Sequence, residues 1–388
     1  MEIMEYTPEQ QAIADFIAKL AKQYDRDYWC KKAETEDFPQ EMWDVIAENG
    51  YFGMVVPEEY GGFDMNYADA AVFLEELAKH GLATLHYVGM FMDSILIGHG
   101  SDDLKKKFLP KLCAGDLFSF AITEPDAGTN TFKMRALAVK EGDYYKVNGQ
   151  KLFITGGDES KYMVLVVRTK PYETLEDKRD GISIFVLDSH TKGIVMHRQD
   201  VEIFAPEKQY TVTFDDVMIP AENLIGEEHK GFKYLFDGLN LERIMIASYA
   251  CGLGKFALNK GVEYANERVL FGDKPIAAYQ AIQHPLTRAF IGLNFASMAI
   301  QTAAKALDEK KESKFVGLYA NMAKLTASEE AFKACDAAIQ AHGGYGVTRE
   351  YHVINISNMV RAMRVAPINN EMVLNFIGET YLNMPKSY

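Results

Sequence analysis

FKYLFDGLNLERIMIASYACGLGKFALNKGVEYANE, residues 232–267, decides the architecture. Apolar residues recur in it at helical spacing from end to end, so it reads as one long amphipathic helix. Further helical segments follow near 280–308, 312–342 and 370–382, and four amphipathic helices in succession predict a bundle. Upstream the period changes. Residues 144–147, 151–155, 163–167, 182–187 and 210–214 are short β-branched or apolar runs bounded by turn residues. Asn148 and Gly149 between the first two runs predict a tight two-residue hairpin, and the region from about 116 to 227 reads as a compact antiparallel domain closed as a barrel. Before it the pattern is helical again. Thr7, Pro8 and Gln10 form a helix start, with Ile13, Phe16, Ile17 and Leu20 as its apolar stripe. Second and third helices are expected over 39–46 and 67–77, joined through the turn-rich PEEYGG at 57–62. The order helix, strand, helix predicts an α+β fold with segregated layers: an N-terminal helical domain over 1–115, a middle antiparallel β-barrel domain over 116–227 and a C-terminal four-helix bundle over 228–388.

A chain of 388 residues, 48% hydrophobic and 25% charged, can bury a large core and excludes disordered and fibrous classes. The net charge of -14, with no basic stripe, argues against nucleic acid. The one dense cationic run, Lys105, Lys106, Lys107 and Lys111, reads as a solvated helix face. Cys30, Cys113, Cys251 and Cys335 lack the close spacing of a zinc or redox site and read as reduced thiols. Met1, Glu2, Ile3, Met4 and Glu5 lack a signal peptide's basic start, and no 18-residue apolar run occurs, so the expectation is a cytoplasmic protein without membrane insertion.

No stand-alone catalytic motif is present. There is no phosphate loop, nucleophile elbow or HExxH, the glycines of HGGYG at 342–346 do not follow a strand, and the nine histidines show no ligand spacing, so no metal is expected.

The order of weaker motifs says more. PEEYGG at 57–62, FAITEPDAGT at 120–129, FIT at 153–155, LERIMIA at 241–247 with ANERVLFG at 265–272, and QAHGGYG at 340–346 stand in the order found in acyl-CoA dehydrogenases, which the chain resembles along essentially its whole length. The resemblance implies noncovalently bound FAD between the β domain and the C-terminal bundle, an acyl-CoA substrate, a homotetramer, and an electron-transferring flavoprotein as electron acceptor. It places Phe120, Ile122, Thr123, Gly128 and Thr129 at the isoalloxazine ring, with the Thr123 and Thr129 hydroxyls as donors and Thr129 also touching substrate. Phe153, Ile154 and Thr155 resemble the strand covering the ring face away from the substrate; many relatives carry tryptophan in place of Phe153. Arg268, Phe271 and Gln280, with Gln340, Gly343 and Gly344, resemble the segment that grips the adenosine diphosphate half of a neighbouring subunit's FAD, Arg268 meeting the pyrophosphate.

The reaction needs a base on one side of the α carbon and the flavin on the other, and a carboxylate in a dry site suits the first role. The resemblance implies that the thioester carbonyl is activated by hydrogen bonds from the flavin ribityl chain and a backbone amide. Most of the family carries its base in a C-terminal loop with a pattern like EGTSEI. Here that stretch is RAMRVAPINNEM at 361–372. Counting forward from Arg361 the base position falls on Asn370, and counting back from Glu371 and Met372 it falls on Pro367, so the loop is shortened and neither residue is a base. A branch that includes isovaleryl-CoA and long-chain dehydrogenases carries the base on a helix just before an arginine. Asn240, Leu241, Glu242 and Arg243 match it, which makes Glu242 the expected base, with Asn240 and Arg243 as substrate-binding residues, Arg243 anchoring the helix or the substrate entrance, and Glu371 as the nearby acid to test beside it. The same residues suit two other readings: an enoyl-CoA reductase running the reaction backwards, as in the crotonobetainyl-CoA reductase branch, and a non-catalytic flavoprotein of the same fold.

Overall fold

The computed structural model describes residues 5–203 and 205–386; the opening Met1 to Met4, on which the reading of no signal peptide rests, lies outside them. α1 (Pro8–Gln23) starts as its sequence requires: the Thr7 hydroxyl accepts from the Gln10 N–H at 3.2 Å and Gln10 Oε1 accepts from the Thr7 N–H at 3.3 Å. α2 (Arg26–Thr35) and α3 (Gln40–Glu48) lead to a short turn over PEEYGG, then α4 (Tyr67–Lys79), α5 (Leu85–Gly98) and α6 (Asp102–Cys113). The sequence reading missed α2 and α5. α5 is apolar on nearly every face and buried from His86 to Ile97 apart from Gly89 and Ile95, so it carries no amphipathic stripe to read. On α6, Lys105 and Lys107 pair with Asp102 and Glu222, as a solvated helix face should.

Eight strands follow: β1 (Phe118–Ala121), β2 (Leu137–Glu141), β3 (Tyr144–Thr155), β4 (Tyr162–Arg168), β5 (Ile182–Asp188), β6 (Ile194–Gln199), β7 (Gln209–Pro220) and β8 (Leu224–Ile225). They form one sheet in the order β6-β7-β3-β2-β4-β5-β8, with β1 against β4. Two details differ from expectation. The pairing is mixed, since β1 runs parallel to β4 and β2 meets β4 in a parallel contact; and among the described residues β6 and β8 stay at the two ends, so the ladder does not close into a ring. The expected hairpin at Asn148 and Gly149 is absent because β3 runs straight through it. The chain turns instead between β2 and β3, where Gly142 takes φ +62°. Asn148 and Gly149 form a bulge in the β3–β7 pairing: the Asn148 side chain bonds Asp216 twice, and a Cβ on Gly149 would fall 2.7 Å from the Ala136 Cα.

β4 and β5 bury both faces. Val164, Val166, Ile182, Ile184 and Val186 join the large helical core, while Met163, Leu165, Val167, Phe185 and Leu187 fill a second core inside the β domain. The C-terminal part has three long helices, α7 (Gly231–Glu267), α8 (Gln280–Asp308) and α9 (Ser313–His342), and two short ones, α10 (Val353–Met363) and α11 (Asn370–Thr380). The expected fourth long helix is therefore only α11. α10 went unread because its start has no side-chain cap, His352 at its N-cap taking φ +62°. α4 packs against α7 and α8, so the N-terminal and C-terminal helices share one core. Among the described residues no helix is long and apolar enough to cross a membrane.

Candidate active site and nucleotide pocket

β1 ends in the 120–129 turn. Glu124 and Ala127 close it with a pair of backbone hydrogen bonds, and Glu124 spends its carboxylate on the Arg135 and Ala136 amides. Lys151, fully buried on β3, donates to the Ile122 carbonyl and to Glu124, each at 2.8 Å, and burial lowers its pKa to about 8 against the pull of Glu124. The Leu152 N–H adds a bond to the Thr123 carbonyl. β3 thus clamps the turn from behind and leaves Phe120, Ile122 and Thr123 half-buried, with Gly128 and Thr129 exposed.

A second β3–β7 register shift, between Lys151 and Ile154, pushes Phe153 out of the ladder. It takes φ +57°, its N–H bonds Gln199 at 2.9 Å, and its ring is 59% exposed, an aromatic displayed and not packed. Ile154 points the other way into the β-domain core, leaving only its backbone for a ligand, and Thr155 exchanges hydrogen bonds with Gln209.

The turn meets the helices in two places. Phe132 packs on Phe232 of α7 with ring centroids 5.0 Å apart, and Asn369, the N-cap of α11, donates to the Thr129 hydroxyl at 3.0 Å. The next residue, Asn370, is buried: its Oδ1 accepts from Lys324 Nζ at 2.7 Å and its amide bonds Ser328. Lys324 also donates to the Ile368 carbonyl at 2.6 Å, and burial, with Arg243 next in weight, lowers its pKa to about 8. The residue at one counted position of the usual loop base is thus a neutral amide locked onto a lysine, and Pro367 at the other has no titratable group. Glu371 is exposed in the first turn of α11.

Glu242 stands within α7, half-buried, and desolvation raises its pKa to about 7, Arg243 acting in the opposite direction. A carboxylate of that strength is poised for proton transfer near neutral pH. Arg243 donates to Asn240 Oδ1 at 2.8 Å, and Asn240 is itself buried toward Ser313 and Gly317 of α9. Asn240 therefore ties α7 to α9, Arg243 braces Asn240 along α7, and Asn240 does not reach an open surface.

Arg268, Phe271, Gln340, Gly343 and Gly344 come together in a separate pocket of about 780 Å³ at the far end of α7. Gln280 is not among its lining residues, although Tyr279 and Ala281 beside it are. Phe271 is 96% exposed at φ +50°, and a Cβ on Gly343 or Gly344 would meet nothing within 4 Å, which leaves backbone open to a ligand. Sequence reasoning missed the aromatic wall: Tyr264 stacks on His342 at 4.4 Å, and Tyr279 and Tyr345 complete it. It also missed Lys151, Glu124 and Lys324. A lysine alternating with apolar neighbours in β3 was the one available signal, and it looks like a surface strand until the partner carboxylate is placed.

Comparison with known proteins agrees with this fold. The acyl-CoA dehydrogenase N-terminal, middle and C-terminal domain families match residues 7–116, 119–217 and 229–382. Acyl-CoA dehydrogenase FadE12 of Mycobacterium tuberculosis is 37% identical over 383 residues, covering 98% of this chain and 97% of its own. Subunit CarC of the caffeyl-CoA reductase–Etf complex of Acetobacterium woodii is 32% identical over 364 residues, 90% and 93% of the two chains. The structure of butyryl-CoA dehydrogenase from Megasphaera elsdenii superposes with a TM-score of 0.91 at 28% identity, covering 98% and 99%. The chain belongs to the acyl-CoA dehydrogenase family of flavoprotein oxidoreductases.

Proposed function

We propose that this chain binds FAD and converts an acyl-CoA thioester to its trans-2-enoyl-CoA, with Glu242 removing the α proton and an electron-transferring flavoprotein taking the electrons. The observation that carries the reading is Glu242 itself: a half-buried carboxylate whose pKa of about 7 suits abstraction of a weakly acidic proton, in a chain whose two counted positions for the usual loop base hold Pro367 and the locked Asn370. The residues fit the cofactor. The clamped 120–129 turn offers backbone and two threonine hydroxyls, Phe153 displays an apolar face, and the Arg268 pocket joins a cation to uncovered glycine backbone. Bound FAD would supply the hydride acceptor for the β carbon. The chain's own part is to hold the proton acceptor in a dry place and to fix the turn through Lys151 and Asn369.

Helix geometry supports an assembly of more than one copy, read here as the homotetramer the family resemblance implies. Glu242 and Tyr264 of the pocket lie 22 residues apart on α7, about 33 Å at the helical rise, farther than one extended flavin dinucleotide reaches. The base and the pocket therefore serve two FAD molecules, one held partly by a partner copy. Ile291, Phe295 and Met298, exposed at helical spacing along α8, offer the apolar face such a contact needs. The same reading proposes domain boundaries near residues 115 and 227.

A second reading keeps every residue and reverses the direction, and it draws support from the relative named as a caffeyl-CoA reductase subunit. Anaerobic mixing of the yellow protein with a panel of saturated acyl-CoA thioesters, and of the dithionite-reduced protein with the matching enoyl-CoAs, separates the two. Fast bleaching by a saturated thioester supports the dehydrogenase; reoxidation by enoyl-CoA without bleaching by any saturated partner supports the reductase.

A further inference from the structure

α5 and α7 pack antiparallel, and their contacts form a ladder. His99 Nε2 lies 3.1 Å from Asp237, a Cβ on Gly238 would meet Leu96 and Met92, and at the other end Phe256 lies against Gly81, just ahead of α5. Numbers fall along α5 as they rise along α7. One turn beyond the contact of Leu96 with Gly238, the ladder brings Asp93 to Glu242, whose charge acts on it. Asp93 is fully buried, and neither of its carboxyl oxygens has a hydrogen-bond partner among the described residues.

An ionised carboxylate in that state carries a large desolvation cost with nothing to offset it, and a second negative charge opposite makes ionisation harder still. Burial first and Glu242 second push the Asp93 pKa well above the usual range. Among the described residues no cation is placed against Asp93. Arg243 acts on Glu242 from its own helix, Lys324 of α9 is in the field of Arg243 and of Arg364 after α10, and His99 and Asp237 pair one turn before. On α4, Glu75 pairs with Lys255 and Glu76 with Lys79. Of the elements packed on α5, β1 carries no charged residue, and α6 turns Lys105, Lys107 and Lys111 to Asp102, Glu222 and the Tyr162 hydroxyl.

We propose that Asp93 is a positioning residue for the base: an unpartnered buried carboxyl, facing Glu242 across the α5–α7 contact, that keeps its proton and offers its O–H to Glu242 once Glu242 is ionised. No bond is made or broken in the thioester by Asp93. It stabilises the ionised base and holds it in one orientation, and a donor to a charged group is the kind of hydrogen bond that contributes most. The inference rests on Glu242 being the base.

The test compares Asp93→Asn and Asp93→Leu in the FAD-loaded enzyme, following the pH dependence of bleaching by a saturated acyl-CoA. Asparagine keeps a neutral donor of the same shape, so the midpoint should stay where it is in the native enzyme, whatever the absolute rate. Leucine fills the space without a donor, so the ionised base loses support and the midpoint should rise by about one pH unit. Infrared spectra at pH 8 give a readout independent of turnover: a protonated-carboxyl band is expected in the native protein and absent from Asp93→Asn. A midpoint that falls in Asp93→Asn means that Asp93 was ionised and overturns the proposal, as does an unmoved midpoint in Asp93→Leu or an infrared band that survives in Asp93→Asn. If Glu242→Gln bleaches at the native rate, the base assignment fails and this inference with it; if Glu242→Gln is inactive while both Asp93 midpoints stay put, only the role of Asp93 is lost.

Discussion

Glu242→Gln is the substitution on which most of this reasoning depends. The amide keeps the shape and length of the side chain and removes its basicity. Burial lifts the Glu242 carboxyl from an ordinary 4.5 to about 7, and that difference is worth roughly 3 kcal/mol of proton affinity. The site gives up ionisation at low pH in exchange for a stronger base at neutral pH. A positioned general base contributes about 10²- to 10⁴-fold, and no second carboxylate replaces it here: Asp93 has no open face and Glu371 stands exposed. Bleaching by a saturated acyl-CoA should therefore slow by at least about a hundredfold, while the spectral change on thioester binding stays near native. The pH dependence is the sharper test. The active form of the base is ionised, so the native rate should be full above about 7 and fall about tenfold for each pH unit below it. In Glu242→Gln that inflection should vanish. Single-turnover stopped-flow at several pH values measures both quantities, with Glu371→Gln run beside it and expected to stay within about twofold of native. A Glu242→Gln enzyme that bleaches within tenfold of native and keeps an inflection near 7 would refute the assignment, and Glu371→Gln abolishing the reaction would move the base to α11.

Arg268→Ala should lower flavin retention, read as the flavin-to-protein absorbance ratio after gel filtration, because it removes the cation from the pocket at the end of α7; a monomer that holds FAD at full occupancy would rule out the shared arrangement. Gly149→Ala should cost about 1–3 kcal/mol in thermal or denaturant unfolding, since its Cβ meets the Ala136 backbone at 2.7 Å with φ at +149°; an unchanged melting temperature counts against the bulge. Steady turnover should need an electron-transferring flavoprotein or an artificial dye, and hydrogen peroxide formed with oxygen alone at the same rate would point to an oxidase.

Several of the helices legible in the sequence have one wet face, although α4, buried from Ala68 to Ala78, was also read. α1 announced itself through Thr7, Pro8 and Gln10, and α7, α8 and α9 through long periodic runs. α5 did not, since it is apolar on nearly every face and carries no stripe, and the residue that faces Glu242 lies on it. The signal from Asn148 and Gly149 was real but ambiguous. The same left-handed tolerance that closes a two-residue hairpin also relieves a bulge, and only pairing with β7 decides which. Phe153, Arg268 and the glycines of HGGYG were legible as family motifs. The partners that hold the site, Lys151 with Glu124 and Lys324 with Asn370, pair residues 27 and 46 positions apart, and nothing local marks them.

Lys324 accounts for how the proposed base on α7 could coexist with the altered loop. Lys324 is fully buried, and its ammonium is turned to the Ile368 carbonyl and Asn370 Oδ1. A carboxylate at 370 would fall 2.7 Å from that ammonium, form an ion pair and lose basicity. Asparagine satisfies the same hydrogen bonds without charge, so the loop keeps its anchor to α9 while Asn369 reaches Thr129 at the 120–129 turn. The remaining cost is a pair of cations, Arg243 and Lys324, acting on each other. The Arg243 field favours ionised Glu242, yet burial prevails and keeps its pKa at about 7. Lys324 is directed away by its two acceptors, and Arg243 is engaged with Asn240. On the proposed assignment a helix base is fixed by α7 packing, whereas a loop base would depend on the loop's own hydrogen bonds, which here go from Asn370 to Lys324 and Ser328.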